Sequence, residues 1–164
     1  AEKSISRSIE ISRTTAIIRN LNQQGITSGI FKNRGLCRTI MNVAGDTMKV
    51  YLIKIFLEVQ GFREPAVSNN LKLSVFNIVQ EQLNNILKHA KATEVTISLS
   101  QLKHSIALSI SDNGAGFDSS EKQEEIELDN IKIVAAPYNG TVEFASQPGR
   151  GCILTVTFPL AHLL

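Results

Sequence analysis

The chain has 164 residues, with 17 Lys and Arg against 15 Asp and Glu, a formal net charge of +2. This is the size of one ordinary domain, or of one domain with an attached segment, and is enough to bury a core. A hydrophobic share of 43% with 20% charged residues excludes a disordered chain, and the near-neutral balance gives no footprint for nucleic acid or for a membrane surface. The two cysteines, Cys37 and Cys152, have no C-x-x-C partner and read as free thiols of a reducing compartment, with no zinc site. No apolar run reaches the roughly 18 to 20 residues of a membrane span, and AEKSISRSIE has no signal-peptide core.

In chain order, residues 1 to about 24 lack Gly and Pro and place Ile5, Ile9, Ile11, Ile17, Ile18 and Leu21 as an amphipathic helix would. Alone it is too short to bury this stripe, so it packs on another helix of the chain, on a second copy, or on its own domain. QQGITSGIFKNRG, with three glycines in thirteen residues, reads as a connection and sets a boundary near residue 34, dividing 1–34 from 35–164. LCRTIMNVAGDTM predicts a short helix from Leu36 to about Val43, closed near Gly45, and KVYLIKIFLEV predicts a strand.

Asn69 to Ala92 is the strongest helical stretch, with Phe76, Val79, Leu83, Leu87 and Ala90 on one face and Asn77, Glu81, Asn84, Asn85 and Lys88 on another. EVTISLSQ and SIALSIS alternate with period two and predict an antiparallel hairpin. An acidic segment from Asp118 to Asp129 follows, then a short helix from about Asn130 to Ala136, and finally the strands TVEFAS and CILTVTF. The expected fold is an α+β, two-layer sandwich: a mixed, mostly antiparallel sheet with helices on one face, preceded by a long N-terminal helix.

Two motifs carry chemistry. Glu81 and Asn85 lie one helical turn apart, so a carboxylate and an amide oxygen stand side by side and can share a hydrated Mg²⁺, although the same spacing also suits a plain solvated face. Asp112-Asn113-Gly114-Ala115-Gly116 follows a strand directly; its glycines let the backbone turn and approach a ligand, and an Asp there can accept from an exocyclic amine. Taken alone, this second motif is equally compatible with a plain loop.

Together and in this order, VFNIVQEQLNNILKHAKATEVTISL, SISDNGAGFD and ASQPGRGCILTVTFP resemble the C-terminal ATP-binding domain of bacterial sensor histidine kinases. That fold is shared with type II topoisomerases and a heat-shock chaperone. The resemblance covers roughly residues 36 to 160, and the helix before it looks like the second helix of the dimerisation and phosphoacceptor domain of such kinases. It implies that Glu81 polarises the reacting group, Asn85 holds Mg²⁺, and Lys88 and His89 approach the phosphates of ATP. It further implies that Asp112 accepts from the adenine amino group, that Gly114 and Gly116 hinge a lid, and that Thr155 contacts adenine through a water. Implied partners are a response regulator and the dimerisation domain of the full-length kinase, with a possible homodimer, a cytoplasmic location, and no contact of this chain with nucleic acid or membrane.

The sequence departs from the family where a Gly-x-Gly-Leu box should cradle the phosphates, reading Glu125-Ile126-Glu127-Leu128 instead. A Cβ there blocks the close approach that glycine permits, and a carboxylate about 4 Å from a phosphate charge costs roughly 4 kcal/mol near a protein surface. Two outcomes are open: Glu127 or Asp129 fills the anion site at the N-terminus of the following helix, or the acids are simply solvated on a mobile lid. Weak or absent nucleotide binding is expected. A non-enzymatic, degenerate kinase module used for dimerisation or partner binding is the competing reading, favoured by the pair Glu125 and Glu127 and opposed by the intact Glu81, Asn85 and Asp112 set. An ATPase of the topoisomerase or chaperone kind fits less well, because those carry longer lids and a further domain.

Overall fold

The computed structural model describes residues 35–116 and 122–160, the side chains of 122–126 excepted. The expected N-terminal helix, the connection after it and the boundary near residue 34 lie outside the described residues. Within them the order is α1 (Leu36–Val50), β1 (Lys54–Gln60), a 3₁₀ turn (Glu64–Ala66), α2 (Asn69–Asn85) running into a π turn (Ile86–Ala90), β2 (Glu94–Gln101) and β3 (Ser105–Asp112). α3 (Lys122–Ala135), a 3₁₀ turn (Ala136–Tyr138), β4 (Thr141–Ser146) and β5 (Cys152–Pro159) complete it.

The five strands form one sheet in the order β1-β2-β3-β5-β4. β1 and β2 are parallel, with α2 in the crossover between them, and every other pair is antiparallel. Alternation decides which face is covered. Val95, Ile97 and Leu99 of β2, Ile106, Leu108 and Ile110 of β3, and Leu154, Val156 and Phe158 of β5 are fully buried under the helices. The intervening residues, Thr96, Ser98 and Ser100 of β2, Ser109 and Ser111 of β3, and Thr155 and Thr157 of β5, are half-buried on the opposite face. A sheet with one apolar face and one hydroxyl-rich face needs a helical layer on one side only. This is the α+β sandwich expected from the sequence.

α2 begins where Ser68 caps it, its Oγ accepting from the Leu71 amide at 3.2 Å. Phe76, Val79, Leu83 and Ala90 are buried as the periodicity required. Leu71, Val75, Ile78 and Ile86 are buried as well, so the covered arc is wider than one stripe because α2 packs on the sheet and also against α1 and α3 within the same layer.

Two helices differ from expectation. α1 does not close near Gly45 but continues to Val50, giving way to extended backbone at Tyr51 (φ −115°, ψ 147°). Leu36, Ile40 and Ala44, spaced four apart, are buried on one side, and Met48 Sδ beyond them accepts from the Ile55 amide at 3.3 Å. That anchoring outweighs the roughly 1 kcal/mol that a mid-helix glycine costs. α3 starts at Lys122 rather than about Asn130. KQEEIELDN contains neither Gly nor Pro and is rich in good helix formers, so the segment that a glycine box would have broken stays helical.

N-terminal to α2, Glu64 ties three segments together. Its Oε1 accepts from the Cys37 amide at 3.1 Å, which serves the first turn of α1, and its Oε2 lies 3.0 Å from the ammonium of buried Lys72. Gly35, just before α1, has φ +72°, and a Cβ on it would come within 2.8 Å of the same carboxylate. Burial alone pushes the Glu64 carboxyl up, but the Leu36 and Cys37 amides and Lys72 outweigh it and hold the group below its ordinary value. Burial first, and Glu64 next, push the Cys37 thiol up to about 11.

Candidate functional site

The end of the sheet at which β3 stops is built from three separate stretches of chain. β3 ends in Asp112, on the helix-covered face and buried. Its Oδ1 accepts from the Gly114 amide at 2.8 Å, which bends the chain back over the strand end. Its Oδ2 is buried and has no hydrogen-bond partner among the described residues. Desolvation pushes this carboxyl above its ordinary value, against the pull of the Gly114 amide. An acceptor held under cover with one lone-pair edge unused is suited to a ligand N–H.

The loop after Asp112 is pinned on both sides. Asn113 Oδ1 accepts from the amides of Thr93 and Glu94, both at 2.9 Å, and its Nδ2 donates to Thr93 Oγ1 at 2.9 Å. Ala115 donates its amide to the Ala90 carbonyl at 2.7 Å, joining the loop to the end of α2, and the Gly149 amide donates to the Ala115 carbonyl at 2.5 Å. Glycine is required at two of these points. A Cβ on Gly114 would strike the Ala90 carbonyl, and Gly116, at φ +67°, is packed against the Gln147 carbonyl.

α2 delivers the remaining residues. Glu81 is half-buried, and one turn later Asn85 is buried, its Nδ2 donating to Gln82 Oε1 at 3.5 Å, which leaves its Oδ1 out of that bond. The π turn carries Lys88, exposed, and His89, half-buried, before the chain reverses at Lys91 (φ 49°). His89 Nε2 lies 3.2 Å from Glu127 Oε1 of α3. Glu127 sits within α3, not at its N-terminus, and Asp129 is exposed, so neither takes the N-terminal anion position expected from the sequence.

Of the residues singled out from the sequence, Asp112, Gly114 and Gly116 form one rim, joined through Ala90 to the helix that bears Glu81, Asn85, Lys88 and His89. Thr155 does not join them. It pairs with Ser109 on the open face of the sheet, opposite the face on which Asp112 lies. The residue paired with Asp112 is Cys152, buried on the same face, its Sγ donating to Ser146 Oγ at 3.1 Å. The period-two pattern of CILTVTF carried that information, since Cys152 is in phase with the apolar Leu154, Val156 and Phe158 and Thr155 is out of phase.

A nucleotide and Mg²⁺ fit these residues. The unused Asp112 Oδ2 suits a purine amine, and the Gly114 turn leaves room for backbone approach that a side chain would fill. Among the described residues no group of three or more His, Cys, Asp or Glu could hold a metal ion by itself. Mg²⁺ is commonly held by one or two protein ligands together with substrate phosphates, a role open to Asn85 and Glu81. Among the described residues no helix is long and apolar enough to cross a membrane.

Residues 70–162 match the family of histidine kinase-, DNA gyrase B- and HSP90-like ATPases. The chain is 32% identical over 130 residues to sensor protein VraS of Staphylococcus aureus (strain COL), covering 79% of this chain and 37% of that protein. VraS of Staphylococcus saprophyticus is 31% identical over the same length. The chain thus spans a little over a third of the curated relatives it matches. Among solved structures it is similar to the ATP binding domain of PrrB from Mycobacterium tuberculosis, with TM-score 0.57, 25% identity, and coverage of 79% of this chain and 94% of that one. A histidine kinase domain from Erythrobacter litoralis, at TM-score 0.60 and 16% identity over 77% of this chain and 65% of that one, shares the fold. With the family match spanning more than half of its length, this chain belongs to the histidine kinase-, DNA gyrase B- and HSP90-like ATPases, as the ATPase domain of a sensor histidine kinase.

Proposed function

We propose that the chain binds ATP at the Asp112 rim, weakly because Glu125 and Glu127 stand where glycines would cradle the phosphates, and supplies the γ-phosphoryl group to a histidine on the dimerisation domain of the full-length kinase, upstream of a response regulator. In this reading residues 35–164 are the ATP-binding unit and 1–34 the end of a dimerisation helix and its linker, which pairs with a second copy on the cytoplasmic side of a full-length protein that a membrane anchor would hold. The observation that carries the proposal is the buried, unpartnered Oδ2 of Asp112 beside the Gly114 turn.

The roles follow from what each group can do. Asp112 accepts the adenine N–H, and Gly114 and Gly116 keep the rim clear of side chains. Asn85 offers an amide oxygen to Mg²⁺, and Lys88 offers a mobile ammonium to phosphate. Glu81, half-buried one turn before Asn85, accepts the proton of the attacking imidazole. When bound, ATP supplies the phosphoryl group and Mg²⁺ offsets its charge.

Calorimetric titration with ADP and ATP, with and without Mg²⁺, tests this reading against Asp112→Ala. Binding that the substitution abolishes supports the ATP-binding reading. No heat from a folded sample at millimolar nucleotide supports the competing one, a non-enzymatic module, for which the Glu127 carboxylate against His89 is the favouring observation.

A further inference from the structure

The contact between His89 and Glu127 joins the turn at the end of α2 to α3. Its two ends are held independently. His89 lies in the π turn, whose last residue, Ala90, is bonded through its carbonyl to Ala115 of the rim. Glu127 lies one turn before Ile131 and two before Ala135, both buried in the core, so α3 cannot roll without withdrawing them. The pair is well covered, with the Glu127 side chain 18% exposed and the His89 side chain 30% exposed.

A carboxylate presents the chemistry of a phosphate oxygen: negative charge and acceptor lone pairs within reach of an imidazole N–H. Resting on the proposed function, and on the place beside the phosphates that the family resemblance implies for His89, we propose that Glu127 is an internal occupant of the phosphate subsite. It engages His89 in the absence of nucleotide, and a polyphosphate must displace it to bind. The device acts on phosphate-bearing ligands alone, because the adenine end is read by Asp112, whose Oδ2 no described residue engages.

The test uses the full chain and three probes, adenosine, ADP and Mg·ATP, titrated into wild type and Glu127→Gln, with thermal denaturation to verify folding. The isosteric amide keeps the shape of Glu127 and removes its charge, and Glu127→Ala replaces it if the amide variant does not fold. The expected result is ADP and Mg·ATP binding tightened by about fivefold or more, the scale on which a partly exposed charge pair and a like-charge repulsion act together, with adenosine binding unchanged. Equal ADP affinity in the two proteins overturns the proposal, and so does tightening of adenosine and ADP alike. Adenosine binding that Asp112→Ala removes, with no ADP binding in either protein, also overturns it while leaving the Asp112 pocket standing. No adenosine binding in any variant takes down the nucleotide reading itself.

Discussion

Gly114 and Ala90 touch so closely that no side chain fits between them: a Cβ on Gly114 would fall on the Ala90 carbonyl oxygen, which already accepts the amide of Ala115 at 2.7 Å. The obstacle is backbone, fixed at the end of α2, and it cannot swing aside as a flexible side chain would. Gly114→Ala is expected to lose about 1–3 kcal/mol of stability through overpacking. It should also weaken nucleotide binding more than its loss of stability accounts for. Urea denaturation and calorimetry on the same sample check both effects.

Gly45 is the opposite case. It lies in the middle of α1, and a Cβ there would meet nothing within 4 Å. Gly45→Ala should stabilise the domain by about 0.5–1 kcal/mol, visible as a rise in melting temperature with nucleotide affinity unchanged.

Asp112 makes nucleotide affinity depend on pH. Its carboxyl is raised by desolvation, and only the ionised form accepts from an adenine amine with the unpartnered Oδ2. Affinity for ADP should therefore fall, as pH drops, at a higher pH than an ordinary carboxylate would produce. The stability effect has the opposite sign: the folded state holds this proton more tightly than the unfolded chain, so the contribution of Asp112 is lost as pH rises through the raised value. Asp112→Asn removes both dependences and costs at least about tenfold in ADP affinity, since its NH₂ opposes the ligand's donor. An ADP titration series between pH 4 and pH 8, run on both proteins, measures this.

Glu64 titrates in the other direction. Held below its ordinary value, it contributes stability that is fully present above the unfolded carboxylate range and lost as pH falls through the lowered folded value. Glu64→Gln leaves Lys72 buried without its counter-charge and should cost about 1.5–3 kcal/mol near neutral pH. Part of that difference should vanish in acid. The same substitution removes the carboxylate that, after burial, contributes to raising the Cys37 thiol to about 11, so Cys37 should react faster with an exchange reagent at pH 8.

The parts of the fold that periodicity controls were legible in the sequence. α2 and the β2–β3 hairpin were readable because their apolar residues recur at 3.6 and at 2 along an uninterrupted stretch, and Asp112 was placed at a strand end by the glycines after it. The length of α1 was hidden because Gly45 resembles a stop, and only packing of Ala44 and Met48 carries the helix across it. α3 was hidden because its first turns hold no apolar stripe and a glycine box was expected there. Thr155 lies three residues from Cys152 and so on the opposite face of the strand, where a hydroxyl drew attention from Cys152, which pairs with Asp112 and has the phase of the core. The His89–Glu127 contact joins residues far apart in sequence and has no local signal at all.

The rim at Asp112 exists only where Ala90, Ala115 and Gly149 meet. These residues come from the end of a helix, the loop after the third strand and the loop before the fifth, so no contiguous piece of the chain contains the site. During synthesis, a nascent chain that has already made α2 and the hairpin still lacks the Gly149 amide, and with it the wall that positions the loop. Under the proposed function, ATP affinity would arrive in one step with the final strand, and retention on an immobilised nucleotide would separate finished molecules from truncated ones.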